Sequence, residues 1–444
     1  RHGARRAVEG MQAPFAGALE IDVEPAGRRD RQLHGRMHED VFARLGGQRL
    51  EFVNQIEDVP GAGANVLLDR ERGFERESLR EIADDEIASL RDFAGIGREQ
   101  TGHDAQQGGL AGAVASDHAD AIGNLWMTTL ELGHEEEVRI KAEQARAAGA
   151  EGPYIDLNLA TIYRTQGLID ESIAAARNVL KWAPHSSDNF SNMLLTLNYS
   201  EAYDPKALFV EHQNYAARFA RPYLAPPPDR SWPRKLRIGY VSPDFRAHVV
   251  ATFFEPILVL HDRDRFEIFC YYNHRTDDHF TAHLKAAADH WLDCVHFSDA
   301  ELADRVRADR IDILVDLAGH TGSNRLRVFA MKPAPVQVSY LGYPNTTGLA
   351  AIDYRITDAR ADPPGEADQL SAERLMRLPA CFHCFRPRED SPDVGPLPAA
   401  ASGHVTFGCF NNFAKLSEGF LDAAARVLAA VPGSRLFLKA KALG

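Results

Sequence analysis

The sequence predicts a set of helices followed by a doubly wound α/β region built on a parallel sheet. Two apolar runs, Ile311–Leu317 and Val336–Leu341, lack polar alternation and are typical of strands buried on both faces. Each run ends at a polar loop that contains glycine. From Leu236 onward, strand-like and helix-like segments alternate, which is the order of βαβ units. Ligands of such sheets lie outside the carboxyl ends of the strands, so these loops are candidate sites.

Composition favours a folded protein whose main partner is neither nucleic acid nor membrane. The chain has 444 residues and a net charge of −13, which disfavours a polyanionic surface. No apolar run approaches the roughly 20 residues that span a bilayer, and no leader-like segment opens the sequence, so a cytoplasmic location is expected. The five cysteines suit free thiols in a reducing compartment. Cys381 and Cys384 form a close pair without a second ligand pair, which favours a loop of thiols over a zinc or redox site.

Residues 1–125 differ from the rest and are assigned no function. They contain arginine but no lysine and have few periodic apolar positions. Such a segment buries too little apolar surface to offset chain entropy, so weak order is expected, with short helices at Glu39–Leu45 and Leu79–Phe93. We do not assume that it is native to the protein. Both ends of the chain look like those of a fragment, and strand Arg435–Lys439 is expected to have an unpaired edge.

Residues 126–222 have the pattern of paired helices. From Gly152 to Pro184 the apolar and small residues fall at the spacing of one tetratricopeptide unit, with a turn at Gln166-Gly167. Small side chains at Ala160 and Ser172 would let the two helices approach closely. An unrelated helical hairpin is the alternative. Further helices are predicted at Glu131–Ala148, Asp188–Asn198 and Pro205–Ala220, before a Pro-rich, extended linker at residues 223–235.

Three separated motifs resemble one known family. They are LRIGYVSPDFRAHVVATFFEPIL from Leu236, the pair LAGHTG and LGYPNTTG joined by KPAPVQVSYLGYP, and VTFGCFNNFAKLS from Val405. Together they resemble the O-linked N-acetylglucosamine transferases, the SPINDLY-like family that carries tetratricopeptide repeats. The resemblance runs from about Gly152 to the end of the chain. It implies a glycosyltransferase-B fold, with an N-terminal Rossmann-like catalytic lobe at residues 236–400 and an incomplete second lobe at 404–444.

Two histidines and one aspartate are candidate catalytic residues. His248 follows the first predicted strand of the sheet, where it could handle a proton or donate a hydrogen bond to substrate. Some relatives carry a second histidine four residues later, where this chain has Thr252. Asp316 and His320 flank the end of a second strand. Asp316 could orient His320 or hydrogen-bond to the backbone, because an unpaired carboxylate is costly to bury in an apolar strand.

Two further segments are candidate binding sites. The Gly342–Gly348 loop offers glycines, a proline, two threonine hydroxyls and backbone amides, which suit a sugar or a diphosphate. A tight strand-to-helix connection is the alternative. Lys415 follows a strand end by a few residues and could neutralise a diphosphate leaving group. The family usually has glutamine where this chain has Asn412. The candidate binding residues are Gly342, Tyr343, Pro344, Thr346, Thr347, Asn412 and Lys415.

The resemblance implies a transferase that moves N-acetylglucosamine from UDP to serine or threonine hydroxyls of proteins, with inversion. The helical repeats would present the acceptor protein, and the nucleotide sugar is the other partner. No metal or other cofactor is expected, because no Asp-x-Asp motif or metal-ligand cluster stands at a plausible site. A fucose transferase of the SPINDLY type is one alternative, and a non-catalytic helical binding module is another. The 444-residue chain by itself is expected not to transfer sugar.

Overall fold

A computed structural model describes residues 50–52, 135–147 and 152–438, except for residues 221, 222, 224, 225, 230, 232 and 388–390. These residues fall into two compact units. The first holds the described residues from Glu135 to Asp393, apart from Thr165–Gly167, and the second holds Leu50–Phe52 and Val394–Leu438. The expected helices at Glu39–Leu45 and Leu79–Phe93 lie outside the described residues.

The first unit begins with five helices, Glu135–Ala147, Pro153–Thr165, Ile169–Trp182, Ser187–Leu197 and Pro205–Phe219. Local signals set where they begin, since Ser186 and Asp204 cap the last two and Pro205 occupies a first-turn position. The hydroxyl of Ser172 donates to the carbonyl oxygen of Ala160 at 2.6 Å. The predicted close approach of these two helices is therefore confirmed.

Seven parallel strands form the sheet of this unit, and we number them β1 to β7 along the chain. They are Leu236–Ser242, Phe266–Tyr272, His290–Asp293, Ile313–Asp316, Val336–Ser339, Tyr354–Asp358 and Arg374–Leu378. Their spatial order is β3-β2-β1-β4-β5-β6-β7. The predicted strands lie within one or two residues of these bounds, whereas β3 and β6 were not predicted because both are short and carry polar side chains.

The helices between the strands are Val249–Leu260, His279–Ala287, Asp299–Ala308 and the short Leu326–Ala330. Reciprocal side-chain caps fix the start of two of them, with Asp278 opposite Thr281 and Ser298 opposite Glu301. The sequence did not predict the short helix. Its five residues are too few to show a helical period.

The sheet is covered on both faces by separate apolar cores. On one face, Tyr240, Phe254 and Leu258 belong to a core with helices Val249–Leu260 and His279–Ala287. On the other, Phe269 and Leu314 share a core with helix Asp299–Ala308 and with residues of the N-terminal helices such as Leu194 and Tyr215. The helices at 153–219 are thus one compact unit with the sheet. The predicted linker at residues 223–235 lies between these helices and the first strand of the sheet in the same unit.

The second unit contains helices Pro398–Ser402 and Glu418–Ala430, a 3-10 turn at Phe413–Lys415, and strands Thr406–Cys409 and Arg435–Leu438. Strand Leu50–Phe52 pairs in parallel with Arg435–Leu438, whose other edge pairs with Thr406–Cys409. The expectation of an unpaired edge at Arg435–Lys439 is therefore wrong, because residues far away in sequence occupy that edge.

Two smaller expectations can be compared with the described residues. None of the helices in these ranges is both long and apolar enough to cross a membrane. All five cysteines are free, with Cys270 and Cys294 buried and Cys381 exposed. The reading of Cys381 and Cys384 as loop thiols agrees with this arrangement.

Candidate functional site

The strand order places a topological switch point between β1 and β4. From β1 the chain moves outward through β2 and β3, and it then returns to β4 on the other side of β1. Loops at such a point diverge to opposite faces of the sheet and leave a crevice at the carboxyl ends of the strands. The loop after β1 carries Asp244 and His248, and the loop after β4 carries His320. The topology therefore brings two of the predicted loops to the crevice.

His248 caps helix Val249–Leu260 and remains partly exposed. Its Nδ1 accepts from the amide of Val250 at 3.3 Å, and its side chain is 38% exposed. The same nitrogen lies 3.6 Å from Oδ1 of Asp244. A neutral ring that accepts at Nδ1 carries its proton on Nε2. His248 thus presents a hydrogen-bond donor at the crevice while its other nitrogen holds the helix start.

Asp244 is a largely buried carboxylate beside several basic groups. Burial raises its pKa, while the neighbouring His248, Arg246 and His274 oppose that rise. The nearest nitrogen of Arg246 lies 3.6 Å from the carboxylate. The carboxylate therefore lies 3.6 Å from a nitrogen of each of two basic side chains, His248 and Arg246. Asp244 was not predicted as a site residue, although it stands four residues before His248.

Asp316 shapes the loop after β4. Its two oxygens accept from the amides of Ala318 at 3.1 Å and Gly319 at 2.9 Å, and the hydroxyl of Ser339 lies at 3.3 Å. Burial raises the pKa of Asp316 to about 6, against the effect of these hydrogen bonds. Of the two roles left open for Asp316, its contacts fit the hydrogen bonding to backbone, because its carboxylate accepts from two amides and a serine. Its catalytic role stays a prediction.

His320 is fully buried against the N-terminal helices. Its Nε2 donates to the carbonyl oxygen of Thr347 at 3.0 Å, and its Nδ1 accepts from the hydroxyl of Ser191 at 2.9 Å. Burial, followed by the nearby ring of His212, places its pKa well below the usual value. Both ring nitrogens are occupied and the ring is neutral. The structure thus gives His320 buried hydrogen-bond partners within the protein, and its catalytic role stays a prediction.

Tyr343 joins the loop after β5 to the same helices. Its hydroxyl accepts from Nδ2 of Asn198 at 2.7 Å and donates to Nε2 of His212 at 2.8 Å. Nδ1 of His212 in turn donates to the carbonyl oxygen of Leu208 at 2.6 Å. Burial raises the pKa of Tyr343 and lowers that of His212. We call Ser191, Asn198, His212, His320 and Tyr343 the buried network.

The two threonines of the Gly342–Gly348 loop point to a buried glutamate. The hydroxyl of Thr346 donates to Glu373 at 2.6 Å, the amide of Thr347 donates to it at 2.7 Å, and the hydroxyl of Thr347 also bonds to it. Thr346, Thr347 and Glu373 are each no more than 4% exposed. Both hydroxyls hold the loop against the strand that Glu373 precedes, and ligand contact by this loop stays a prediction.

Gly342 sets how closely the loops after β4 and β5 approach. A Cβ at this position would lie 1.8 Å from the carbonyl oxygen of Leu317. Only glycine fits such a contact between two backbones. Pro344 is exposed in the same loop. The loop is thus the tight connection that the sequence left open as the alternative.

The second unit carries the other two predicted binding residues. Asn412 caps the turn Phe413–Lys415, with its Oδ1 accepting from the amide of Ala414 at 3.2 Å. Both Asn412 and Lys415 are exposed. Lys415 therefore stands at the end of a short turn after a strand, with its ammonium group accessible to an anionic ligand.

Sequence reasoning missed Glu373 and the helical members of the buried network. His212 and Asn198 lie more than a hundred residues before Tyr343, to which they bond. No local motif marks them, and a lone histidine or asparagine on a helix has many ordinary explanations. Only the packing of the helices against the sheet brings these side chains together.

The parallel sheet, its strand order and the loops at its switch point define one Rossmann-like lobe of a glycosyltransferase-B type. A family model described as glycosyl transferase family 41 matches residues 208–386. A solved structure of a mutant of Thermobaculum terrenum O-GlcNAc transferase is similar, with a TM-score of 0.68 and 34% identity, covering 80% of this chain and 68% of that one. The chain belongs to glycosyl transferase family 41, which confirms the predicted resemblance.

Curated relatives agree with this family. The chain is 43% identical over 269 residues to a probable UDP-N-acetylglucosamine–peptide N-acetylglucosaminyltransferase SPINDLY of Arabidopsis thaliana, covering 58% of this chain. It is 31% identical over 254 residues to the protein of that activity called SEC from the same plant, covering 55% of this chain. The matches span 29% and 26% of these two relatives.

The buried histidines predict an acid-sensitive fold. The pKa of His320 is well below the usual value in the folded protein and normal in the unfolded chain, so protons favour unfolding as the pH falls below about 6.5. We expect the free energy of unfolding to fall by about 1.4 kcal/mol per pH unit for each such histidine below that pH. Chemical denaturation of the chain at a series of pH values measures this slope.

The variant His320→Gln isolates the contribution of one ring. It keeps a polar side chain but has no titrating group, so its slope below about pH 6.5 should be shallower by about 1.4 kcal/mol per pH unit. Asp316, whose raised pKa acts in the opposite direction, is common to both proteins. Equal slopes in the two proteins would show that His320 is not held neutral by the fold.

Proposed function

We propose that the protein containing this chain transfers N-acetylglucosamine from UDP-N-acetylglucosamine to serine or threonine hydroxyls of other proteins. The observation that carries the proposal is the partly exposed His248 at the switch point of a family 41 lobe. The names of the matched relatives describe the same transfer. The relatives are much longer than the matched part of this chain, so the proposal concerns the whole protein.

The proposed reaction is a direct displacement with inversion. The acceptor oxygen bonds to the anomeric carbon, the bond from that carbon to the diphosphate oxygen breaks, and UDP leaves with the bonding electrons. The proton of the acceptor hydroxyl is released to solvent water, so the products are the glycosylated protein, UDP and a proton. We propose that His248 contacts the sugar as a donor through Nε2, while its Nδ1 accepts from the amide of Val250 and fixes the ring at the helix start.

Lys415 is the proposed partner of the leaving group. Negative charge grows on the diphosphate as the glycosidic bond breaks, and an ammonium group close to it lowers the energy of that state. Lys415 is exposed and ends a turn that follows a strand. In this mechanism Lys415 stabilises the negative charge that a metal ion stabilises in other transferases, so no metal is required.

The helices would bind the acceptor as tetratricopeptide repeats. Helices begin at Pro153 and at Ser187, which are 34 positions apart (187 − 153), and 34 residues is the tetratricopeptide period. Between helices Pro153–Thr165 and Ser187–Leu197 lies a groove with several polar side chains, Thr161, Arg164, Asn189, Asn192 and Thr196. Asparagine side chains both donate and accept, which suits the backbone of an extended peptide.

Donor profiling of the full-length protein tests the proposed function. The protein is incubated with acceptor proteins and with either UDP-N-acetylglucosamine or GDP-fucose, and the acceptors are weighed by mass spectrometry. The proposal predicts an N-acetylhexosamine increment with the first donor. A deoxyhexose increment with the second would assign the SPINDLY-type fucose transfer instead. No increment and no nucleotide binding would point to a non-catalytic binding module.

Removing the imidazole of His248 is expected to lower transfer strongly. In His248→Ala the donor at the crevice is lost, and we expect kcat to fall by about 10²-fold, as for the loss of one positioned donor or acid–base group. His248→Asn keeps a side chain that can cap the helix and serves as the matched control for folding. Steady-state kinetics of both variants, with far-UV circular dichroism, separates the two effects. A His248→Ala enzyme with wild-type kcat would remove this residue from the reaction.

A further inference from the structure

A second groove lies on a different face of the N-terminal helices. It has a volume of about 670 Å³ and runs between helices Ile169–Trp182 and Pro205–Phe219, with Phe190 and Met193 of the intervening helix among its lining residues. The polar groove described above uses Asn189 and Asn192 of the same intervening helix. Adjacent helix positions are rotated by about 100°, so the two grooves use different faces.

The charge of this groove differs from that of the whole chain. Three basic residues line it, Arg177, Lys181 and Arg218, against one acidic residue, Glu211. Arg177 donates to Glu211 at 2.8 Å and to the hydroxyl of Tyr203 at 2.7 Å. The hydrogen bond to Glu211 raises the pKa of Arg177. The single carboxylate of the groove is therefore already paired.

The other two cations have no carboxylate partner within the described ranges. Lys181 donates to Oδ1 of Asn178 at 2.8 Å, and the guanidinium of Arg218 lies 6.0 Å from the ring centre of Phe190. Both residues are exposed. The chain as a whole has a net charge of −13, whereas this groove has two exposed cations without a carboxylate partner among the described residues. It attracts a negatively charged partner.

The groove also offers apolar contacts. Leu180, which is half-buried, and Ala217, which is exposed, line it, and the buried Phe190 and Met193 lie beneath them. Apolar contacts combined with basic rims suit a peptide that carries both acidic and aliphatic side chains. A nucleic acid would use the cations but not these apolar side chains.

We propose that this groove is a docking site for an acidic, leucine-containing peptide segment of a partner protein. Glutamate side chains of the partner would pair with Lys181 and Arg218, and its aliphatic side chains would lie against Leu180 and Ala217. The site is distinct from the polar groove that we assign to the acceptor. It would recruit partners by their acidic segments, whether or not those partners are modified.

Direct binding of a defined probe tests this proposal. The probe is a fluorescent peptide of alternating glutamate and leucine. The control peptide has glutamine in place of every glutamate. We expect the acidic peptide to bind the chain and the control peptide to bind about tenfold more weakly. The double variant Lys181→Glu and Arg218→Glu should bind the acidic peptide with an affinity lower by about tenfold or more. Lys206→Glu, an exposed charge reversal on helix Pro205–Phe219 outside the groove, should leave its binding unchanged.

Three results would overturn the proposal. They are equal binding of both peptides, unchanged binding in the double variant, and binding that Lys206→Glu weakens as much as the double variant does. If a short oligonucleotide binds as tightly as the peptide, and if the double variant no longer binds it, the groove would be assigned to polyanions instead. The assay contains no nucleotide sugar, so its outcome does not depend on the proposed transfer reaction.

Discussion

Lys415→Ala in the full-length protein is expected to lower kcat for sugar transfer by about 10²–10³. The diphosphate gains negative charge as the bond to the sugar breaks, and removing one preorganised stabiliser of such charge typically costs ~2.7–4 kcal/mol in the barrier. Because Lys415 is exposed, its loss should leave the free energy of unfolding unchanged. Initial rates at saturating UDP-N-acetylglucosamine measure kcat, and chemical denaturation measures the stability.

Two further variants define what is lost. Lys415→Arg keeps the positive charge and should retain more activity than the alanine variant, although its planar head differs in shape. Lys206→Ala removes an exposed lysine far along the sequence from the proposed site and should keep wild-type kinetics. Transfer by Lys415→Ala within a few-fold of wild type would exclude Lys415 as the group that stabilises the leaving diphosphate.

Glu373→Ala is expected to lower the free energy of unfolding by roughly 3 kcal/mol or more. The carboxylate accepts from the hydroxyl and amide of Thr347 and from the hydroxyl of Thr346, and all three donors are buried. Each buried donor left without a partner costs roughly 1–3 kcal/mol. The loop that these threonines belong to would then lose its anchor. Urea denaturation of the 444-residue chain measures the change.

The matched control for Glu373 is another glutamate of the same connection. Glu366 is exposed and makes no side-chain cap, so Glu366→Ala should change stability by less than about 0.5 kcal/mol. Glu373→Gln keeps one oxygen acceptor and should lie between the two. A Glu373→Ala chain as stable as wild type would show that the threonine hydroxyls have other partners and that the loop is held by other contacts.

Most of the strands and helices could be predicted from the sequence, because each long strand and helix has its own local signal. Leu236–Ser242 and Phe266–Tyr272 are apolar runs, and helix Glu418–Ala430 follows a serine cap. The strand that covers the edge of Arg435–Leu438 could not be predicted in this way. It comes from Leu50–Phe52, and pairing over that distance leaves no pattern in either segment.

The sequence predicts which residues lie at the ends of strands, but it does not predict what their side chains contact. His248 and Lys415 were predicted from where they follow a strand, and the structure leaves His248 partly exposed and Lys415 exposed. His320, Thr346 and Thr347 also follow strands, but they are buried against the helices or Glu373. Sequence pattern shows which residues lie at the ends of strands. Which way a side chain points depends on packing with residues that are remote in sequence.

The stereochemistry of the product tests whether an acceptor hydroxyl displaces UDP at the switch-point crevice. Proton NMR follows the full-length protein, an acceptor peptide and α-linked UDP-N-acetylglucosamine over time, and the anomeric coupling reports the new linkage. We expect a β-linked product that forms with wild type and is strongly reduced with His248→Ala. An α-linked product, or a β-linked product formed equally fast by His248→Ala, would contradict this mechanism.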